Sequence, residues 1–180
     1  MSTDDVDTTG LPEGGLPPVP QFGQLLSSHI ASVPDLARPA FLAGLERSAA
    51  ARYRRWAEDL PDHAEVLLEC SRREDEIAEL VSGLFPVDPA VQDQVDAALP
   101  AAVQLYYEVF APHPPLHQLY LQSEAELQGA MAWVHMAERL PAVETEQLTH
   151  VRETLARCTE LERQSSVDVK RLLAEELTYA

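Results

Sequence analysis

From Leu25 onward, apolar residues recur every three to four positions and glycine nearly vanishes, while Ala, Leu, Glu, Gln and Arg dominate. That period and composition predict helix almost throughout, and no stretch alternates as a strand would. A short helix is predicted over Gln21 to Ala31, ending before Pro34. The first long helix runs from Pro39 to Leu60, with Phe41, Leu45, Ala49, Tyr53, Trp56 and Leu60 on its buried side. The second runs from Asp62 to Leu84, burying Val66, Leu67, Cys70, Ile77, Val81 and Leu84, and is ended by Pro86 and Pro89. Asp88 is placed to cap a segment from Pro89 to Ala111, which Pro100 is predicted to break or kink. After the breaker PHPP, a third long helix is predicted over Leu116 to Leu140. The fourth spans Val143 to Glu176, burying Leu148, Val151, Leu155, Cys158, Val169, Leu172 and Leu173.

The long helices read as a duplicated pair. Glu46 to Pro61 aligns without gaps onto Glu126 to Pro141, with Glu46/Glu126, Ala50/Ala130, Ala57/Ala137, Glu58/Glu138, Leu60/Leu140 and Pro61/Pro141 identical. Tyr53 then faces Trp133, and Ala49 faces Gly129. Leu67 to Ile77 aligns onto Leu155 to Ser165, pairing the two cysteines, Cys70 and Cys158, and also Glu74 with Glu162. A repeated helical hairpin predicts an all-α, four-helix bundle. Hairpin 1 would cover residues 39–85 and hairpin 2 residues 116–178, with 86–112 as a crossover helical segment, all in one helical domain over 25–180.

Residues 1–24 mix Asp, Thr, Gly and Pro without helical or strand period, which predicts a disordered acidic, Pro-rich arm. Its LPPVP piece is read as linker in preference to a polyproline II ligand. A net charge of −17 with a single lysine, Lys170, excludes a general binder of nucleic acid or anionic membrane. Arg47, Arg52, Arg54, Arg55, Arg72 and Arg73 cluster in the first hairpin and read as a solvated face paired with nearby Glu. Two cysteines do not make a secreted disulfide framework, and no run reaches the roughly 18 to 20 apolar residues of a membrane span. The compartment expected is therefore the cytoplasm.

At 100° per residue, four glutamates fall within or beside the apolar stripes: Glu46, Glu74, Glu126 and Glu162. Burying one unpartnered carboxylate costs several kcal/mol. Four that converge therefore call for a metal, shared protons or water. Cys70 and Cys158 each stand one turn before the Glu of their helix, close enough to meet at the centre, and are read first as small core residues.

This arrangement resembles the ferritin-like superfamily, most of all its rubrerythrin-type branch, over residues 40–175. In that branch helices 1 and 3 each supply a Glu and helices 2 and 4 each a Glu-x-x-His to a di-iron site. The resemblance implies Glu46, Glu74, Glu126 and Glu162 as metal ligands, with Tyr53, Cys70 and Cys158 around them. Where the family has histidine, this chain has Ile77 and Ser165. No other histidine replaces them: His135 points off the stripe, His150 lies three turns from Glu162, Pro114 and Pro115 interrupt the His113/His117 spacing, and His29 and His63 sit near helix ends.

Two functions follow as expectations. One is a degenerate ferritin-like protein without metal, not an enzyme, acting through contacts with another protein or with itself as a homodimer. The other is a carboxylate-ligated di-iron or di-manganese protein, a ferroxidase or oxygen-dependent oxidoreductase.

Overall fold

A computed structural model describes residues 15–143 and 145–179, leaving out the side chains of 177–179. The described chain is all-helical: α1 (Phe22–Ala31), α2 (Arg38–Asp59), α3 (Ala64–Leu84), α4 (Pro89–Phe110), α5 (Pro115–Glu138) and α6 (Glu146–Tyr179). Short 3-10 turns precede α2 at Asp35–Ala37 and α3 at Pro61–His63. No helix among the described residues is long and apolar enough to cross a membrane.

Side-chain bonds between α2, α3, α5 and α6 fix their directions. Arg47 reaches Ser82 and Arg54 reaches Asp75, so α2 and α3 are antiparallel. Trp133 with Glu162 and Lys170 with Glu124 set α5 against α6 in the same sense. Arg157 with Glu76 and Arg73 with Asp168 do so for α3 and α6. Tyr53 with Glu126 and Trp56 with Gln118 complete the circuit between α2 and α5. α2 is thus parallel to α6, and α3 to α5. Small residues let the backbones approach: Ser71 Oγ donates to the Ala50 carbonyl at 3.0 Å, and in turn accepts from Arg54.

α4 lies across α2, α1 lies against α4, and the two close over the outer face of α2 and α5. Asp88 caps α4, its Oδ1 accepting the Val91 N–H at 3.0 Å, with Pro89 in the first turn as its fixed φ favours. Pro100 does not end the helix. α4 continues through it because Pro100 and Asp96 are both exposed, so water serves the carbonyl that proline leaves without a donor. α2 and α4 meet at Gly44, where a Cβ would lie 2.6 Å from Leu99 Cδ2.

Part of the predicted arm is packed. Residues 1–14 lie outside the described residues, but Pro17 is buried and Phe22 stacks on Tyr106 at 5.3 Å. Gln128 of α5 clamps this stretch, accepting the Phe22 N–H and donating to the Pro20 carbonyl, each at 2.9 Å. Two apolar clusters fill the space between the long helices. One holds Ala43, Ile77, Val81, Trp133 and Leu155. The other holds Tyr53, Trp56, Leu67, Leu119 and Leu172. At about 1.5–3 kcal/mol per large apolar side chain, these clusters supply the driving force that tolerates polar groups between them.

Candidate metal centre

Along each long helix the two clusters are separated by one glutamate. Glu46 falls between Ala43 and Tyr53, Glu74 between Cys70 and Ile77, Glu126 between Leu119 and Trp133, and Glu162 between Leu161 and Val169. The four form a polar layer in an apolar interior, as the stripe positions indicate. Ligand oxygens of Glu46, Glu74 and Glu162 all lie within 4.8 Å of one another. Glu126 adjoins Glu74 and Glu162 closely enough for carboxyl–carboxyl hydrogen bonding. Glu74, Glu126 and Glu162 are buried; Glu46 is partly exposed.

Neutral donors hold three of the four. Glu126 Oε1 accepts from Tyr53 Oη at 2.7 Å and Gln122 Nε2 at 2.6 Å. Glu162 Oε1 accepts from Trp133 Nε1 at 3.0 Å. Glu74 Oε1 takes a long bond from Ser165 Oγ, 3.4 Å, and its Oε2 has no partner. The carboxylate of Glu162 lies across Gly129, where a Cβ would come within 2.5 Å of Oε1. A side chain at Gly129 would have to displace that carboxylate, whereas the first hairpin has Ala49 at the aligned position.

Desolvation lifts the carboxyls first, and their mutual repulsion adds to it. Glu46 is raised from 4.5 to about 8, with burial ahead of the Glu126 charge, and Arg52 opposing. Glu74 is pushed well up by burial and then by Glu126 and Glu46, and Glu162 by burial and then by its hydrogen bond to Glu126.

The two positions where the resemblance expects histidine are occupied differently. Ile77 is fully buried in the apolar cluster with Trp133 and Leu155, and Ser165 donates to Glu74. Cys70 and Cys158 do not pair. They fall in different clusters, on opposite sides of the glutamate layer, and are free. Burial pushes both thiols up to about 12, so each is a protonated core residue.

Three features escape a reading by periodicity. Gln122 belongs to the cluster as a donor, and Gly129 as the space that Glu162 uses. Arg52, read as part of a solvated face, is buried. It sits on the inner side of α2 because α4 covers that side, with Tyr106 and Phe110 beneath the guanidinium. The equivalence of Tyr53 and Trp133 in the aligned sequence was a signal: both follow their Glu by seven residues, and both donate to a glutamate. A cavity of about 130 Å³ adjoins the layer, bordered by Glu46, Glu126 and Glu162 and by apolar residues of α1, α2 and α5.

No family model matches this chain, and no curated protein or solved structure matches it.

Proposed function

We propose that the chain is a ferritin-like four-helix bundle whose two repeated hairpins hold a di-metal centre, iron or manganese, on Glu46, Glu74, Glu126 and Glu162. The observation that carries this reading is Glu74. Its Oε2 is wholly buried and meets no N–H or hydroxyl donor, only neighbouring carboxyls: Glu126 adjoins it, and one oxygen each of Glu46, Glu74 and Glu162 lie within 4.8 Å of one another. An orphaned carboxylate oxygen costs about 1–3 kcal/mol or more, which a cation would recover. Hard oxygen donors suit Fe(II) and Mn(II), and four carboxylates balance two divalent charges. The residues present thus fit the group, without imidazole.

Bound there, the two ions would supply one-electron redox chemistry toward oxygen or the oxidation of ferrous iron. The chain's own residues set the surroundings. Tyr53 and Gln122 orient Glu126, and Trp133 orients Glu162 over Gly129. The apolar clusters above and below close the layer along the bundle axis, leaving the cavity beside Glu46, Glu126 and Glu162 as its approach. Two free buried cysteines suit a reducing, cytoplasmic compartment.

A second reading is favoured by Ile77 and Ser165: a bundle that has lost its imidazole ligands, shares protons among the glutamates and acts through contacts with another protein or a second copy. Metal analysis of protein purified without chelator separates the two. The di-metal reading expects about two Fe or Mn per chain, lost in Glu74→Ala with Glu162→Ala. A chain that takes up neither metal under anaerobic loading with Fe(II) or Mn(II) sinks it.

A further inference from the structure

Two aromatic side chains touch the glutamate layer. Tyr53 Oη donates to Glu126 Oε1 at 2.7 Å, and Trp133 Nε1 to Glu162 Oε1 at 3.0 Å. Trp133 stacks on no other ring among the described residues. Tyr53 does: Trp56, further along α2, meets it edge-on with 5.5 Å between ring centres and 79° between planes. That attractive geometry also puts two oxidisable rings in contact.

Trp56 leads outward. Most of its surface is buried, yet it lines a groove of about 350 Å³ together with Arg55, Asp59, Tyr107 and Gln118. Tyr53 is fully buried and lines neither this groove nor the cavity beside the glutamates. The stacked contact with Trp56 is therefore its link to the surface.

The two rings differ in what can take a proton. A phenol that loses an electron must also release its O–H proton, and Glu126 stands within hydrogen-bond reach to accept it. Trp56 Nε1 donates to the amide oxygen of Gln118 at 2.9 Å, a neutral acceptor that is not a base. An electron vacancy would thus rest on Tyr53 and only pass through Trp56.

We infer that Tyr53 and Trp56 form an electron relay between the glutamate layer and the groove, with Glu126 as proton acceptor. As a supply to the metal centre, the relay rests on the function proposed above. As a path between two side chains it stands without metal. A centre oxidised by dioxygen takes one electron from Tyr53, and the phenolic proton moves to Glu126 Oε1. One electron from Trp56, with the proton returned by Glu126, restores the phenol. Trp56, left as its radical cation, is refilled by one electron from an enediol reductant such as ascorbate in the groove, which releases a proton to water.

Pulse radiolysis of the full metal-free chain tests the path. Azide radicals oxidise tryptophan, and the tryptophan radical should decay at the rate at which a tyrosyl radical appears, first-order and independent of protein concentration. Tyr53→Phe, which keeps the ring and removes only the hydroxyl, should slow that conversion at least about tenfold, as should Trp56→Phe. Trp133→Phe should leave it unchanged. If Trp56→Phe does not fold, Tyr53→Phe decides. The Fe(II)-loaded chain, its metal content measured on the same samples, is then mixed with dioxygen and freeze-quenched for electron paramagnetic resonance. A tyrosyl radical is expected that is absent from Tyr53→Phe, and its decay in ascorbate should slow at least about tenfold in Trp56→Phe.

No conversion in the metal-free chain, or one that keeps its rate in Tyr53→Phe, overturns the inference. So does a loaded chain that consumes dioxygen without forming a tyrosyl radical. Metal uptake alongside either result leaves the di-metal centre standing. Conversion through Tyr53 in a chain that takes up neither iron nor manganese keeps the path and sinks the di-metal reading.

Discussion

Gly129→Ala should destabilise the protein, although alanine is favoured over glycine in a helix interior by about 1 kcal/mol. The added Cβ would lie 2.5 Å from Glu162 Oε1, 2.9 Å from Cδ and 3.2 Å from Oε2. A surface carboxylate would swing aside cheaply. This one is buried, and Trp133 Nε1 holds the same oxygen at 3.0 Å. Overpacking of this kind costs about 1–3 kcal/mol, and loss of the buried hydrogen bond about 1–2 kcal/mol. After subtracting the helix gain, the net loss is about 1–4 kcal/mol. At about 2–4 °C per kcal/mol for a chain of this size, Tm should fall by about 2–16 °C. Thermal denaturation followed by circular dichroism reads the change, and metal content should fall in the same variant. A Tm that rises, with metal uptake unchanged, would refute the reasoning by showing that Glu162 does not depend on the space at Gly129.

The metal-free protein should lose stability as pH rises from about 5 toward 8. Folded Glu46 holds its proton up to about 8 whereas the unfolded group releases it near 4.5, and Glu74 and Glu162 shift the same way. Between those values the folded state binds more protons than the unfolded one, so stability falls with pH by about 1.4 kcal/mol per unit for each such proton. Urea denaturation across that range, with and without Mn(II), should show the slope in the metal-free protein and its loss on loading. A flat metal-free profile would mean the four carboxyls do not converge. Gln128→Ala removes both bonds to the Phe22 N–H and the Pro20 carbonyl. Proteolysis within residues 15–21 should then become several-fold faster and Tm should fall by about 2–12 °C, the cost of two hydrogen bonds. Unchanged cleavage would show that the aromatic stack alone holds the segment.

The helices and the glutamate layer were legible because both rest on periodicity. An apolar stripe at 3.6 residues per turn marks Phe41, Leu45, Ala49 and Tyr53 for burial, and Glu46 shares their face. Period alone cannot say what covers a helix from outside. Arg52 was assigned to a solvated face because it belongs to the arginine cluster of the first hairpin, but Tyr106 and Phe110 of α4 and Gln122 of α5 pack against it. Pro100 looked like a break because proline removes a donor, but the cost depends on whether the freed carbonyl meets solvent, which the linear sequence does not encode. Pro17 and Phe22 lacked a stripe of their own; Phe22 is buried by Tyr106, Phe110 and Leu121, far along the chain, and Gln128 ties down the backbone beside it. The cysteines aligned in the repeat, yet equivalent positions on two helices need not face one another.

The clamp of Gln128 on the segment before α1 has a kinetic consequence. α1 forms one wall of the cavity beside the glutamates, whereas the grooves over α3 and α6 are lined by Glu69, Glu76, Glu79, Glu160 and their neighbours and touch none of the four. Entry of anything larger than water to the polar layer through this cavity therefore depends on how far α1 stands off α5. Loading would then carry a unimolecular step whose rate saturates as the incoming species is made more concentrated. Residence time would follow how often two amide hydrogen bonds let go, rather than how tightly the interior holds its guest.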